Sequence, residues 1–96
     1  VGFTNRTPLP LIVKGYTVVN GVQRGGPILL LKPGGGRAFE SNVPAGERFY
    51  NIYDPNNPTR ILLKDFRVPI ATRNVLLAVM PHPTNPSLLV ILPDRP

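Results

Sequence analysis

Prolines and glycines interrupt this chain at intervals too short for long helices. The sequence contains 13 prolines and 9 glycines in 96 residues. Proline inside a helix removes a backbone hydrogen bond and clashes with the preceding turn. Between the interruptions the chain is apolar and rich in β-branched residues, which is typical of strands. The pattern therefore predicts an all-β fold.

The spacing of turn residues predicts the number of strands and their arrangement. Asn20-Gly21 lies between two valines and predicts a hairpin with a type I′ turn, because both residues tolerate a positive φ. Gly15 predicts a bulge within the strand that precedes this turn. The segments 24–27 and 68–69 predict strand ends. About eight short strands with turns every 8–12 residues indicate a small antiparallel β-sandwich of seven or eight strands, forming a single domain over residues 1–96. The predicted strands are Val1–Asn5, Leu11–Val19, Ile28–Lys32, Arg37–Asn42, Glu47–Tyr53, Thr59–Phe66, Asn74–Met80 and Ser87–Leu92.

Composition excludes several classes of protein. Hydrophobic residues make up 42% of the chain, too many for a disordered segment. The absence of cysteine excludes disulfides, zinc–thiolate sites and a thiol nucleophile. No apolar run approaches the roughly 18 residues that span a membrane as a helix. The chain opens at Val1 without an initiator methionine, from which we expect a secreted or periplasmic protein trimmed of a targeting segment.

Few residues are suited to catalysis or metal binding. His82 is the only histidine, and no acidic residue lies within ten positions of it. A general base or a metal ligand would need partners from elsewhere in the fold. The segment Pro33–Arg37 lacks the lysine and hydroxyl residue of a phosphate-binding P-loop. We therefore predict a non-catalytic protein with no cofactor, no metal site and no catalytic residue.

The net charge of +6 favours anionic partners, and one predicted hairpin concentrates part of it. If Ile52 pairs with Arg60 across the turn at 54–58, period-2 alternation puts basic residues and a tyrosine on one exposed face. Such a face suits a protein or an anionic ligand. The predicted binding residues are Arg48, Tyr50, Arg60 and Lys64.

The sequence also resembles a known family. The run from Val1 to Pro8, with Phe3, Asn5-Arg6 and Thr7-Pro8, is similar to the opening of the von Hippel–Lindau β domain, and looser similarity extends to about Pro81. The resemblance implies a transthyretin-like β-sandwich that binds a partner through its surface. The tryptophan and histidine of the family's hydroxyproline pocket have no counterpart here, and Ser41 alone matches that pocket.

These observations predict an interaction or structural module that recognises a protein or an anionic ligand. The alternative is single-stranded nucleic-acid binding through a basic β face, which would need exposed aromatic residues on the strands. A homodimer is also possible through Ile28–Leu31 or Leu88–Leu92. Both runs are apolar at consecutive positions, whereas a two-layer sandwich covers only one face of each strand.

Overall fold

The structure is a computed structural model that describes residues 1–41, 43, 46–70, 75–85 and 88–94, with the backbone alone for Pro58. The described residues form eight strands and no helix, which confirms the all-β prediction. The strands are β1 (Gly2–Asn5), β2 (Leu11–Val19), β3 (Val22–Leu31), β4 (Gly36–Phe39), β5 (Gly46–Asp54), β6 (Asn57–Ile70), β7 (Leu76–Pro81) and β8 (Leu89–Pro93). Asn42, Asn74 and Ser87, at the ends of predicted strands, lie outside the described residues.

The strands form two packed sheets of four. One sheet has the order β4-β1-β7-β8 and the other β3-β2-β5-β6. All described neighbours are antiparallel except β1 and β7, which run parallel. The edge strands β3 and β4 lie close together on one side of the sandwich. The other two edge strands, β6 and β8, therefore lie on the opposite side.

The core lies between the two sheets and contains one large aromatic contact. Phe3 packs edge-to-face against Tyr50, with ring centroids 4.8 Å apart. Both side chains are almost completely buried, and burial of residues this large supplies much of the hydrophobic free energy of a small domain. The other largest fully buried side chains are Leu11, Val13, Leu31, Ile52, Val79 and Asn5.

One predicted turn feature is confirmed, and a predicted bulge lies in the strand next to the one expected. Asn20 and Gly21 have φ values of 50° and 78° and connect Val19 to its pairing partner Val22. Positive φ at both central residues is the type I′ geometry, whose twist matches that of the flanking strands. The β2–β3 register also shifts between Lys14 and Tyr16, but two steps along β2 match three steps along β3, so the extra residue lies in β3. Gly15 itself pairs regularly with Tyr50 of β5, and the bulge predicted at Gly15 is therefore in the neighbouring strand.

Two predicted strand ends are wrong, for one physical reason. β3 continues through Gly25-Gly26-Pro27, and β6 continues past Phe66 through Pro69. Both strands lie at the edge of their sheet. Proline is tolerated in an edge strand because its missing N–H can lie on the unpaired side. Proline therefore interrupts strands less often here than the sequence suggests.

Asn5 organises the loop between β1 and β2. Its side chain is fully buried. It accepts hydrogen bonds from the Thr7 backbone N–H at 2.9 Å and the Thr7 hydroxyl at 2.6 Å, and it donates to the Leu9 carbonyl at 2.7 Å. Asn5-Arg6-Thr7 matches the N-glycosylation sequence, but this amide is occupied and inaccessible in the folded chain.

Candidate functional site

The structure does not bring the four predicted binding residues onto one exposed face. Arg48 lies opposite Val68 and not opposite Lys64. Arg48 and Tyr50 point into the interior, with exposed fractions of 5% and 0%. Arg60 and Lys64 are exposed. The predicted register and the predicted shared face are therefore wrong.

Several register shifts between β5 and β6 account for the difference in pairing. The largest lies beside the turn, where Tyr53 pairs with Ile61 but Asp54 pairs with Asn57, and a smaller one lies near Asp65. Tyr50 pairs with Phe66, yet Ile52 pairs with Leu63, so three steps along β6 match two steps along β5. Asp65 has a φ of 52°, and its N–H donates a hydrogen bond to the Asn51 side chain at 2.6 Å. Aspartate is among the few residue types that adopt this left-handed conformation readily. A one-residue shift moves side chains to the opposite face of the sheet.

A buried ion pair joins the two sheets. Arg48 donates from Nε to Glu40 Oε1 at 2.5 Å and from Nη2 to Glu40 Oε2 at 2.8 Å. Its Nη1 donates to the Thr17 hydroxyl at 2.7 Å, and the Tyr50 hydroxyl donates to Glu40 Oε1 at 2.8 Å. Both charges are thus matched and hydrogen-bonded, as buried charges require. This cluster connects the residue after β4 in one sheet to β5 and β2 in the other.

The environment of the cluster changes the ionisation of two of its members. Burial, and then the hydrogen bond to Glu40, raise the pKa of Tyr50 well above its ordinary value. The hydrogen bond to Glu40 raises the pKa of Arg48. Tyr50 therefore stays protonated and Arg48 stays charged. In these protonation states both Arg48 and Tyr50 donate hydrogen bonds to Glu40, and the cluster links the two sheets.

The raised pKa of Tyr50 predicts a loss of stability in alkali. The folded state retains the Tyr50 proton where the unfolded chain, with an ordinary tyrosine pKa near 10, releases it. The contribution of Tyr50 to the unfolding free energy is therefore fully present below that value and is lost as pH rises above it. We expect urea unfolding to show a steeper alkaline decline in the native protein than in Tyr50→Phe. Equal slopes would show that Tyr50 titrates normally.

Glycines make room for the buried pair. A Cβ atom at Gly26 would overlap Arg48 Nη2 and lie 2.7 Å from Glu40 Oε2, and one at Gly15 would lie 2.7 Å from Tyr50 Cε1. The backbones of β2 and β3 therefore pass directly over the cluster. A groove of about 640 Å³ opens beside it, lined in part by Ser41.

The outer face of the β3-β2-β5-β6 sheet carries three aromatic residues. Tyr16 and Phe49 stack with centroids 5.3 Å apart and planes inclined by 19°. Lys14 places Nζ 5.1 Å from the centre of the Tyr53 ring. These contacts place the aromatic rings of β2 and β5 side by side, half-buried and facing away from the core.

Apolar residues extend this face across all four strands. Ile12 pairs with Leu30 on one side and Tyr53 on the other, and Tyr53 pairs with Ile61. Leu30 and Ile61 are 70% and 41% exposed, and Ile28, in the next row, is 56% exposed. We use the term outer face for this surface, formed by Ile12, Lys14, Tyr16, Ile28, Leu30, Phe49, Asn51, Tyr53, Ile61, Asp65 and Arg67.

Charges on the outer face are balanced, although the chain as a whole is basic. The Tyr16 hydroxyl donates to Asp65 Oδ1 at 2.7 Å, which raises the pKa of Tyr16. Arg67 pairs with Glu47 at the edge of the face. Lys14 and Arg67 are the positive side chains of the outer face and its edge, and Asp65 and Glu47 are the negative ones.

Of the two runs predicted to mediate a homodimer, Ile28–Leu31 alternates in exposure and Leu88–Leu92 does not. Leu29 and Leu31 are buried in the core, whereas Ile28 and Leu30 are exposed on the outer face. In the second run, Leu88 and Leu92 are 49% and 48% exposed. Self-association through either run stays a prediction.

His82 has a local structural role. Its Nδ1 accepts hydrogen bonds from the backbone N–H groups of Thr84 at 3.2 Å and Asn85 at 3.3 Å. The imidazole therefore caps the loop before β8. Within the described part of the chain, no cluster of three or more His, Cys, Asp or Glu residues has the arrangement to hold a metal, and no helix is long and apolar enough to cross a membrane.

Comparisons with protein-family models, curated proteins and solved structures gave no match to this chain. The resemblance to the von Hippel–Lindau β domain thus stays a prediction that rests on the short N-terminal run.

Proposed function

We propose that this protein is a non-catalytic β-sandwich module that binds a partner protein through its outer face. The observation that carries the proposal is the apolar row Leu30–Ile12–Tyr53–Ile61, which crosses all four strands of the sheet. Contiguous apolar surface on a soluble domain commonly marks an interaction site. Tyrosine and phenylalanine beside such a row are the residue types enriched at protein interfaces.

Two observations favour a protein partner over single-stranded nucleic acid. Tyr16 and Phe49 cover part of each other's ring faces by stacking, whereas base stacking needs open faces. The charges of the outer face are balanced, and nucleic-acid binding sites need an excess of positive charge along the strand. A protein interface, by contrast, combines an apolar centre with a polar rim.

The outer face can be tested by making it positively charged. We expect the double variant Ile28→Lys with Leu30→Lys to fold normally, because both side chains are exposed. It should weaken partner binding at least about tenfold, because it places charge within the apolar surface. Leu92→Lys, on the other sheet and 48% exposed, is the matched control. The measurement is quantitative capture of proteins from source-cell extract, followed by titration of each purified candidate.

A partner that binds the native protein and both variants equally would contradict the proposal. Sedimentation velocity of the purified chain shows whether the partner is a second copy. For the alternative, a labelled single-stranded oligonucleotide is titrated at low and physiological salt. We expect no binding at low salt, and tight binding that falls steeply with salt would favour nucleic acid instead.

A further inference from the structure

A second, smaller cavity lies at the opposite end of the sandwich from the ion pair. It has a volume of about 180 Å³ and is mostly apolar. Leu11 from β2, Leu62 from β6 and Leu89 from β8 form its walls, and Arg60 and Asp54 lie at the turn end of β5 and β6. A cavity of about 150 Å³ lined by aliphatic residues can hold a benzene ring. This cavity is therefore large enough for one apolar side chain.

The cavity lies on the side of the sandwich that carries the edge strands β6 and β8. Among the described strands, β6 and β8 have a neighbour on one edge only. Their inward side chains, including Leu62, Leu63, Leu89 and Ile91, pack against the core but remain partly exposed. An edge strand with unpaired N–H and C=O groups can accept an added strand from another chain. β6 has 14 residues and β8 has 5. The two prolines of β6 donate no N–H to an added strand, but the ten residues between them still make β6 the longer template.

One arginine beside the cavity is free to pair with an acidic ligand. Arg60 is exposed and makes no ion pair with any described residue. Asp54 also lines the cavity, but its Oδ1 accepts the N–H of Asn56 at 2.9 Å, which turns that oxygen toward its own hairpin. The chain's net charge of +6 also steers acidic partners toward the protein.

We propose that the free edge of β6 binds an extended acidic peptide segment of a partner protein, which inserts one apolar side chain between Leu62 and Leu89. Backbone hydrogen bonds to β6 supply affinity that does not depend on sequence, and the cavity selects an apolar residue. Arg60 pairs with an acidic residue beside that apolar anchor. This site is separate from the outer face, so either proposal can be contradicted without affecting the other.

The test uses a fluorescein-labelled heptapeptide with a central leucine flanked by glutamate and threonine residues. Fluorescence polarisation with the whole chain measures its affinity. We expect replacement of the central leucine by alanine to weaken binding about tenfold, because three apolar carbon atoms leave the cavity. Replacing the glutamates by lysines, or N-methylating alternate backbone amides, should also weaken binding severalfold.

Protein variants locate the site. Arg60→Glu should weaken binding of the glutamate peptide and improve binding of the lysine peptide, whereas Arg24→Glu, an exposed arginine at the other end of the molecule, makes the same change in net charge and should have a smaller effect. Leu9→Asp, at the cavity wall and 61% exposed, tests the apolar contact with little risk to folding. Equal binding of the leucine and alanine peptides, or equal effects of the two arginine variants, would overturn the proposal.

Discussion

Glu40→Gln is expected to destabilise the protein by about 3–5 kcal/mol, because it leaves the Arg48 charge buried without a counter-charge. Both side chains of the pair are almost completely inaccessible, at 2% and 6% exposure. At about 4 °C or more per kcal/mol for a domain of this size, the melting temperature should fall by at least about 12 °C. Urea unfolding followed by circular dichroism measures the loss directly.

The chain supplies a matched control on the same strand as Arg48. Glu47 pairs with Arg67, but their side chains are 51% and 62% exposed. Solvent screens an exposed pair, so Glu47→Gln should cost at most about 1 kcal/mol.

The double variant Glu40→Leu with Arg48→Met separates lost charge from lost packing. Replacing a buried pair by apolar residues is often neutral or stabilising. We expect the double variant to be more stable than Glu40→Gln. A cost below about 1 kcal/mol for Glu40→Gln, or a double variant no better than the single one, would show that the pair is not the constraint inferred here.

Gly26→Ala is expected to cost about 1–3 kcal/mol, the usual penalty for forcing extra volume into a packed interior. The new methyl group would overlap Arg48 Nη2 and approach Glu40 Oε2. A flexible side chain without such hydrogen bonds would move aside to relieve the overlap. Here both atoms are held by the buried pair, so relief of the overlap must lengthen its hydrogen bonds. The measurement is again urea unfolding.

The neighbouring glycine provides the comparison for this second prediction. At Gly25 the nearest atom to a new Cβ is a backbone oxygen 4.0 Å away. Gly25→Ala should therefore change stability by no more than about 0.5 kcal/mol. Combining Gly26→Ala with Glu40→Gln gives a third measurement. If the overlap acts through the pair, the two losses should not add.

Local features of the sequence predicted those parts of the fold that depend on backbone conformation. The hairpin at Asn20-Gly21 follows from the two residues that adopt positive φ most readily. Gly15 in an apolar strand indicated an irregularity at this point, but the extra residue lies in the partner strand β3. The ends of β3 and β6 were mispredicted because the effect of a proline depends on whether its strand is at an edge. That position is a property of the sheet and not of the strand.

The candidate sites were harder to predict because the sequence of β5 does not show which of its two faces is buried. Arg48, Tyr50 and Ile52 alternate with Phe49 and Tyr53, and each set combines apolar with polar residues. Hydropathy therefore does not choose which set faces the core. The alternation of Phe49 and Tyr53 nevertheless indicates an outward aromatic face if Arg48 and Tyr50 are assigned to the core.

By itself, the sequence determined that this chain forms short strands in a sandwich, because frequent prolines and glycines exclude long helices and apolar β-branched segments favour sheets. Only the tertiary structure decided which face of each strand is buried. Glu40, from the other sheet, provides the counter-charge that allows Arg48 and Tyr50 to be buried. The shifts beside the turn and near Asp65 set the pairing of β6 with β5. Both effects depend on contacts between residues distant in sequence, which no local pattern records.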